Sequence, residues 1–368
     1  MGDALLTIPL IRRLKKVDPQ SSIIFVCRPG YGDFFERLGL VDEVLELDKR
    51  NITGLEEFRE RLSRYSIRYL ISVHQSVRTA LALRNIRAEQ KISYRQWWNR
   101  PFFNLRVLRP MGLPEPLRVL ALLSPIDPST AEQINKMNFN GEQNNLPTKA
   151  SILSWPNPLP AEHSMAVECN SVAVEQVLAQ VTKPYAIIAP SSQWTTKQWT
   201  SSGYVELIEK LEKQGLNVYL VGTRNEREVC ESIRDTHAKM YKRPEVHAQT
   251  EVRSLAGRFD LVHLHALMSR AEVIVANDSG SMHLAAAAAR PVVGIFGPTV
   301  LRQGYRPWAD ESAIVQIDLG CRPCGRHGHK ECPLGTHECM KRITAEMVMG
   351  AVGPYLKSTA ESERRAPV

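Results

Sequence analysis

The stretch NDSGSMHLAAAAARPVVGIFGPT, Asn277 to Thr299, leaves little choice of fold. It follows AEVIVA, a β-branched run that reads as a buried parallel strand, and it contains a second such run, VVGIF. Between the two lie an acid, two small turn formers, a histidine and five consecutive alanines. A strand, a tight turn, a helix and a returning strand make a βαβ unit, whose two strands pair in parallel. The first turns of the helix carry almost no bulk. Small residues let another group come close to the backbone, and a helix N-terminus offers free N–H groups to an anion such as phosphate.

The same alternation runs along the chain. SIIFVC (22–27), VDEVLEL (41–47), YLISV (69–73) and KISY (91–94) read as strands, separated by helical patterns. From about Pro125 to Pro184 the pattern weakens into Asn-, Pro- and Ser-rich sequence that reads as a linker holding one or two strands. A second series then begins with YAIIAP (185–190), NVYLVG (217–222), EVIVAND (272–278), PVVGIFG (291–297) and AIVQID (313–318). The last helix is expected over Thr344–Leu356, with STAESERRAPV disordered. At 368 residues the chain is too long for one core. The expectation is α/β: a Rossmann-like domain over 1–125, a linker and inter-domain segment over 126–184, a second Rossmann-like domain over 185–345, and a helix end and tail over 346–368.

Ligands of such sheets bind outside the carboxyl ends of the strands, and the candidate residues fall there. After YAIIAP come Ser191, Ser192 and Lys197, hydroxyls and a point charge suited to a diphosphate. Alone, that loop reads better as a solvated loop with a surface lysine. After NVYLVG comes Glu226, which can accept from ribose hydroxyls or simply favour a helix N-terminus. After EVIVA come Asp278, Ser279, Gly280 and His283, where an N-cap and a satisfied histidine are the bland alternative. Three such loops after three strands of one sheet favour a joint phosphate site. The dinucleotide fingerprint G-x-G-x-x-G is absent from the strand–helix turns, as are the P-loop G-x-x-x-x-G-K-[ST] and any D-x-D. A metal-free sugar-nucleotide site would have to stabilise a leaving diphosphate with lysine, hydroxyls and helix N–H groups, the set present here.

A net charge of +8 points to an acidic partner. Residues 78–109 concentrate it, with Arg78, Arg84, Arg87, Lys91, Arg95, Arg100, Arg106 and Arg109 against Glu89 alone, and with Trp97, Trp98, Phe102 and Phe103 interleaved. Nucleic acid, a membrane surface, an anionic acceptor or a plain solvated face all fit that pattern. No apolar run reaches the ~18 residues of a membrane span, and the amphipathic N-terminus has its acid first and bases last, the reverse of a signal peptide. A cytoplasmic location is therefore expected. Of seven cysteines, Cys321, Cys324, Cys332 and Cys339 cluster with a metal-like spacing near His327, His329 and His337, which suits one structural zinc or reduced thiols in a loop.

GDALLTIPLIRRLKK, VHQSVRTALALR, the Lys197 loop, NDSGSMHLAAAAARPVVGIFGPT and CRPCGRHGHKECPLGTHECMKRIT together resemble the lipopolysaccharide heptosyltransferases of glycosyltransferase family 9, the cysteine segment leaning toward type II. The motifs recur in order from residue 2 to about 345. The resemblance implies a GT-B fold, two Rossmann-like domains whose parallel sheets face a central cleft. It implies an inverting, metal-independent and cofactor-free transfer of heptose from an ADP-heptose donor to lipid A–core at the inner face of the inner membrane. Carried over by position, Ser191, Ser192 and Lys197 meet the diphosphate, Glu226 the ribose, and Asp278, Ser279, Gly280 and His283 the phosphate and sugar. Asp3, of the Gly-Asp pair, becomes the general base, although alone it reads as a first-turn helix acid. His74 and Arg78 become acceptor contacts, and the basic, aromatic segment faces lipid rather than nucleic acid. Oligomeric state is left open. Family members carry a strand before the Gly-Asp pair, so the first strand is expected to be missing here and the true start to lie upstream of Met1. Type I or related hexose transfer is the nearest alternative, and a non-catalytic sugar-nucleotide-binding protein the rival of another class.

Overall fold

The computed structural model describes residues 1–48, 52–136, 151–154, 164–241 and 250–363. Its strands are β1 (Ile24–Cys27), β2 (Glu43–Glu46), β3 (Tyr69–Ser72), β4 (Gln90–Tyr94), β5 (Leu105–Val107), β6 (Ser151–Ser154), β7 (Tyr185–Ala189), β8 (Asn217–Leu220), β9 (Val252–Ser254), β10 (Val273–Asn277), β11 (Val292–Phe296) and β12 (Ser312–Gln316). The expected strands β1–β4, β7, β8 and β10–β12 are all present. β5 and β9 were not foreseen, because three residues are too few to show alternation and each carries an arginine.

The chain divides into two compact units, Leu6–Asn144 and Asn145–Val368 with Met1–Leu5. The stretch expected as a linker holding one or two strands supplies β6, which pairs antiparallel with β12 at the edge of the larger unit's sheet. The first five residues, expected with the N-terminal half, pack with the C-terminal unit. The helix Gly2–Leu5 lies close against the helix Gly280–Ala287, where a Cβ on Gly2 would come 3.0 Å from His283 Cδ2 and one on Gly280 2.8 Å from the flexible end of Met1.

In the larger unit the sheet order is β6-β12-β11-β10-β7-β8-β9, parallel except for β6. Every residue of β7, β8, β10 and β11 is buried, as a parallel sheet covered by helices on both faces demands. The chain runs outward from β7 through β8 to β9, then returns to the other side of β7 as β10. The sheet therefore has its switch point between β7 and β10, where α/β sheets open a crevice at the carboxyl ends. The final helix runs Ala345–Glu363, past the expected end at Leu356 and through part of the expected disordered tail. Ala and Glu favour helix, and nothing after Pro354 breaks it before Glu363.

In the smaller unit hydrogen bonding divides the strands into a β1–β2 pair and a three-stranded sheet β3-β4-β5, all parallel. A separate apolar core, including Phe58, Leu62, Ile86 and Phe103, underlies it. No helix among the described residues is long and apolar enough to cross a membrane.

Candidate active site

The loops at the switch point carry most of the expected residues. Ser191 and Ser192 follow β7 directly and are buried. The chain then turns through the single 3-10 turn Thr195–Lys197 and enters the helix Ser201–Glu212. Lys197 Nζ lies 2.6 Å from Asp278 Oδ2, just beyond β10, and Thr299 Oγ1, beyond β11, donates to the same oxygen at 2.6 Å. Both partners of the ion pair are nearly excluded from solvent, with side chains 11% and 5% exposed.

Asn277, the last residue of β10, ties these loops together. Its Oδ1 accepts from Trp199 N and Tyr204 OH, each at 3.0 Å, and its Nδ2 donates to Pro190 O at 2.7 Å. Trp199 is pinned further through Nε1 to Ile343 O. The Lys197 loop is thus held from both ends. Sequence reasoning missed Asn277 and Thr299. The available signal was their place at strand ends, in NDSG and GPT, beside residues already chosen.

The helix Gly280–Ala287 is capped differently from its neighbours. Asn170, Thr200 and Asp260 each accept a backbone N–H at the start of their helices. Ser279 occupies the same position yet caps nothing, and its buried Oγ has no hydrogen-bond partner among the described residues. Ser191 Oγ and His283 Nδ1 are buried and unpartnered in the same way. Orphaned buried polar atoms are rare in folded proteins, and three around one crevice are what a polar ligand would satisfy.

His283 is 4% exposed, and burial pushes its imidazole down to about 4, against the pull of the Asp278 and Asp3 carboxylates and with help from Lys197 and the terminal amine. It is neutral at neutral pH, able to donate from one ring nitrogen and accept at the other. A lowered folded pKa means that the unfolded chain binds the proton first. Stability from this group is therefore complete above the ordinary histidine value of about 6.5 and is lost as pH falls toward about 4, by roughly 1.4 kcal/mol per pH unit. Urea unfolding midpoints measured from pH 7 to pH 4 should fall more steeply for the native chain than for His283→Gln. Parallel curves would remove His283 as the source.

The remaining expected residues are placed as follows. Asp3 is exposed on the short helix Gly2–Leu5, close enough to His283 to act on its ionisation. Glu226 lies after β8 and closes a capping box, accepting from Thr223 N at 2.7 Å and Thr223 Oγ1 at 2.9 Å. Among the described residues, no hydrogen bond or ion pair joins it to the Lys197–Asp278 group. His74 and Arg78 belong to the smaller unit. His74 Nδ1 pairs with Thr79 Oγ1 at 2.7 Å and Ser76 Oγ at 3.0 Å, while Arg78 is exposed on the first turn of the helix Val77–Leu83.

The cysteine segment docks on the Lys197 loop. Thr196 Oγ1 donates to His329 O at 2.6 Å, and His337 Nε2 lies 2.8 Å from Thr196 O. All four cysteines are free thiols. Among the described residues, three metal-ligating atoms come within 4.8 Å of one another only at Glu209, Glu212 and His237, not among these sulfurs.

The sequence profile described as Glycosyltransferase family 9 (heptosyltransferase) matches residues 56–335. The chain is 33% identical to lipooligosaccharide heptosyltransferase 2 of Haemophilus influenzae over 47% of its own length and 48% of that protein's. It thus spans about half the length of the curated relatives that lead the matches. The structure of E. coli ADP-heptose lps heptosyltransferase II superposes with a TM-score of 0.70 at 22% identity, covering 98% of this chain and 96% of that one. A family 9 glycosyl transferase from Veillonella parvula gives 0.75 at 18% identity, covering 97% and 95%. These two likenesses show the shared GT-B fold.

Proposed function

Because the chain belongs to glycosyltransferase family 9, the heptosyltransferases, we propose that it transfers heptose from ADP-L-glycero-D-manno-heptose to heptosyl-Kdo2-lipid A, in building the lipopolysaccharide core. The observation that carries this reading is the set of loops at the switch point, which bring a fixed lysine, two orphaned serine hydroxyls and a neutral histidine to a helix start that has no side-chain cap.

Each group has a task in the transfer. An acceptor hydroxyl attacks the anomeric carbon from the face opposite the diphosphate and gives its proton to Asp3, while the bond from that carbon to the diphosphate oxygen breaks and ADP departs. Inversion follows from this in-line displacement. Negative charge grows on the leaving diphosphate, and Lys197, the Ser191, Ser192 and Ser279 hydroxyls and the N–H groups at Gly280 are the donors available to it. No metal is needed in this scheme. Asp278 spends Oδ2 on Lys197 and Thr299, which suits Oδ1 to a sugar hydroxyl rather than to phosphate. His283 supplies a neutral N–H to the same sugar. Glu226, already fixed by Thr223, is the ribose acceptor, and His74 and Arg78 contact the acceptor. The reaction takes place at the cytoplasmic face of the inner membrane, with the protein bound peripherally.

The deciding experiment is ADP release from ADP-heptose with and without heptosyl-Kdo2-lipid A. Release that requires the acceptor supports the transferase. ADP binding by calorimetry without any release would favour a sugar-nucleotide-binding protein, and release with the unheptosylated Kdo acceptor would favour type I transfer.

A further inference from the structure

We propose that the carboxyl rim of the β3-β4-β5 sheet is a membrane-docking edge, with Trp97, Leu108 and Met111 entering an anionic bilayer and Arg78, Arg95 and Arg100 resting on its headgroups. The inference deepens the proposed function and rests on it only for the identity of the acceptor. β3, β4 and β5 are parallel and end almost level, with Ser72 paired to Ser93 and Tyr94 to Val107. The segments that leave them, 73–77, 95–98 and 108–111, therefore emerge along one edge of one unit.

That edge is unusually apolar for surface loops. Trp97 is 92% exposed, Leu108 70%, Met111 60% and Val77 51%. The exposure does not come from a slack loop. Asn99 is buried, donates to Tyr94 O at 2.8 Å and accepts from Gln96 N at 3.1 Å, while Gln96 Nε2 reaches across to Gln75 Oε1 at 2.8 Å. Trp98 packs edge-on against Phe102, with ring centroids 6.3 Å apart, and Phe103 is buried in the core. The loop is anchored, and it holds Trp97 outward. Of the four aromatics noted in the sequence, this one alone is left in water.

Charge selects the occupant. Between Arg95 and Met111 there are four arginines and no acid. Arg109 is engaged inward, 2.5 Å from Glu115, while Arg78, Arg95 and Arg100 are exposed. Separate apolar tips among cations suit a fluid anionic surface, which moulds itself to them, better than a protein face, which needs a continuous complementary patch. Tryptophan is also the side chain that settles best at the headgroup level.

The test is co-sedimentation of the full chain with phosphatidylcholine vesicles, with and without phosphatidylglycerol, and without any acceptor. The native chain should bind the anionic vesicles and release them as salt rises. Arg95→Gln/Arg100→Gln should weaken binding roughly 30-fold, from about 1 kcal/mol per arginine at 1.4 kcal/mol per tenfold. Trp97→Ser/Leu108→Ser should weaken it at least about tenfold, since the lost apolar area no longer enters the bilayer. Both variants alter exposed side chains, and an unchanged melting temperature confirms that they fold. Absence of native binding, or equal binding to neutral vesicles, overturns the proposal. So does a dimer in light scattering that the Trp97→Ser/Leu108→Ser variant dissolves, because the edge would then cover a second copy. Vesicle binding without acceptor-dependent ADP release would leave the edge standing and defeat the transferase reading instead.

Discussion

Asp3→Asn is expected to reduce acceptor-dependent ADP release by about 10²–10⁴-fold, the usual contribution of a positioned general base. The amide keeps the shape of the carboxylate and removes its basicity. Asp3 lies on the surface of the helix Gly2–Leu5 and acts on the ionisation of His283. ADP affinity measured by calorimetry should therefore stay within a factor of about three, since an exposed charge with no direct bond to the Lys197–Asp278 group contributes little to binding. A loss in turnover below about tenfold would place the base elsewhere. A parallel loss of ADP affinity would mean that Asp3 serves the packing of its helix on Gly280.

Lys197→Ala should be the most damaging single change to stability in the site. Asp278 would keep only Thr299 as a partner while remaining buried, and removing one member of a buried ion pair costs about 3–5 kcal/mol. The double variant Lys197→Ala/Asp278→Asn removes the stranded charge as well and should recover most of that loss in urea unfolding. Catalysis should not follow. With no cation on the leaving diphosphate, turnover of the double variant should remain lower by about 10²-fold or more. Stability restored without activity would separate the structural from the chemical role of the lysine. If activity returned with stability, Lys197 would be a packing residue and the diphosphate would be held by the hydroxyls and helix N–H groups alone.

Much of the site was legible because its parts lie beside local signals. β7, β8, β10 and β11 are β-branched or aliphatic runs bounded by Gly, Pro or Asp, so both the strands and the loops that follow them stand out. Ser191, Lys197, Asp278 and His283 stand out as residues that follow those strands, whereas the contact between Lys197 and Asp278 belongs to the fold. The cysteine spacing was a weaker guide. It left one structural zinc and reduced thiols both open, and gave no sign that His329 O and His337 Nε2 would bond Thr196 beside the lysine.

What the sequence determined by itself was the period of each element and the chemistry available at its end, since both depend on neighbours a few bonds away. Tertiary structure alone decided the rest. Lys197 and Asp278 are 81 residues apart and meet only because strand order sets β10 beside β7. Met1–Leu5 packs with the C-terminal unit, where its short helix meets a helix more than 270 residues further along the chain. Trp97 and Phe103 sit in one basic, aromatic stretch, yet one is in water and the other in the core. Burial, pairing and charge environment are properties of groups brought together across the chain, and no local pattern encodes which groups those will be.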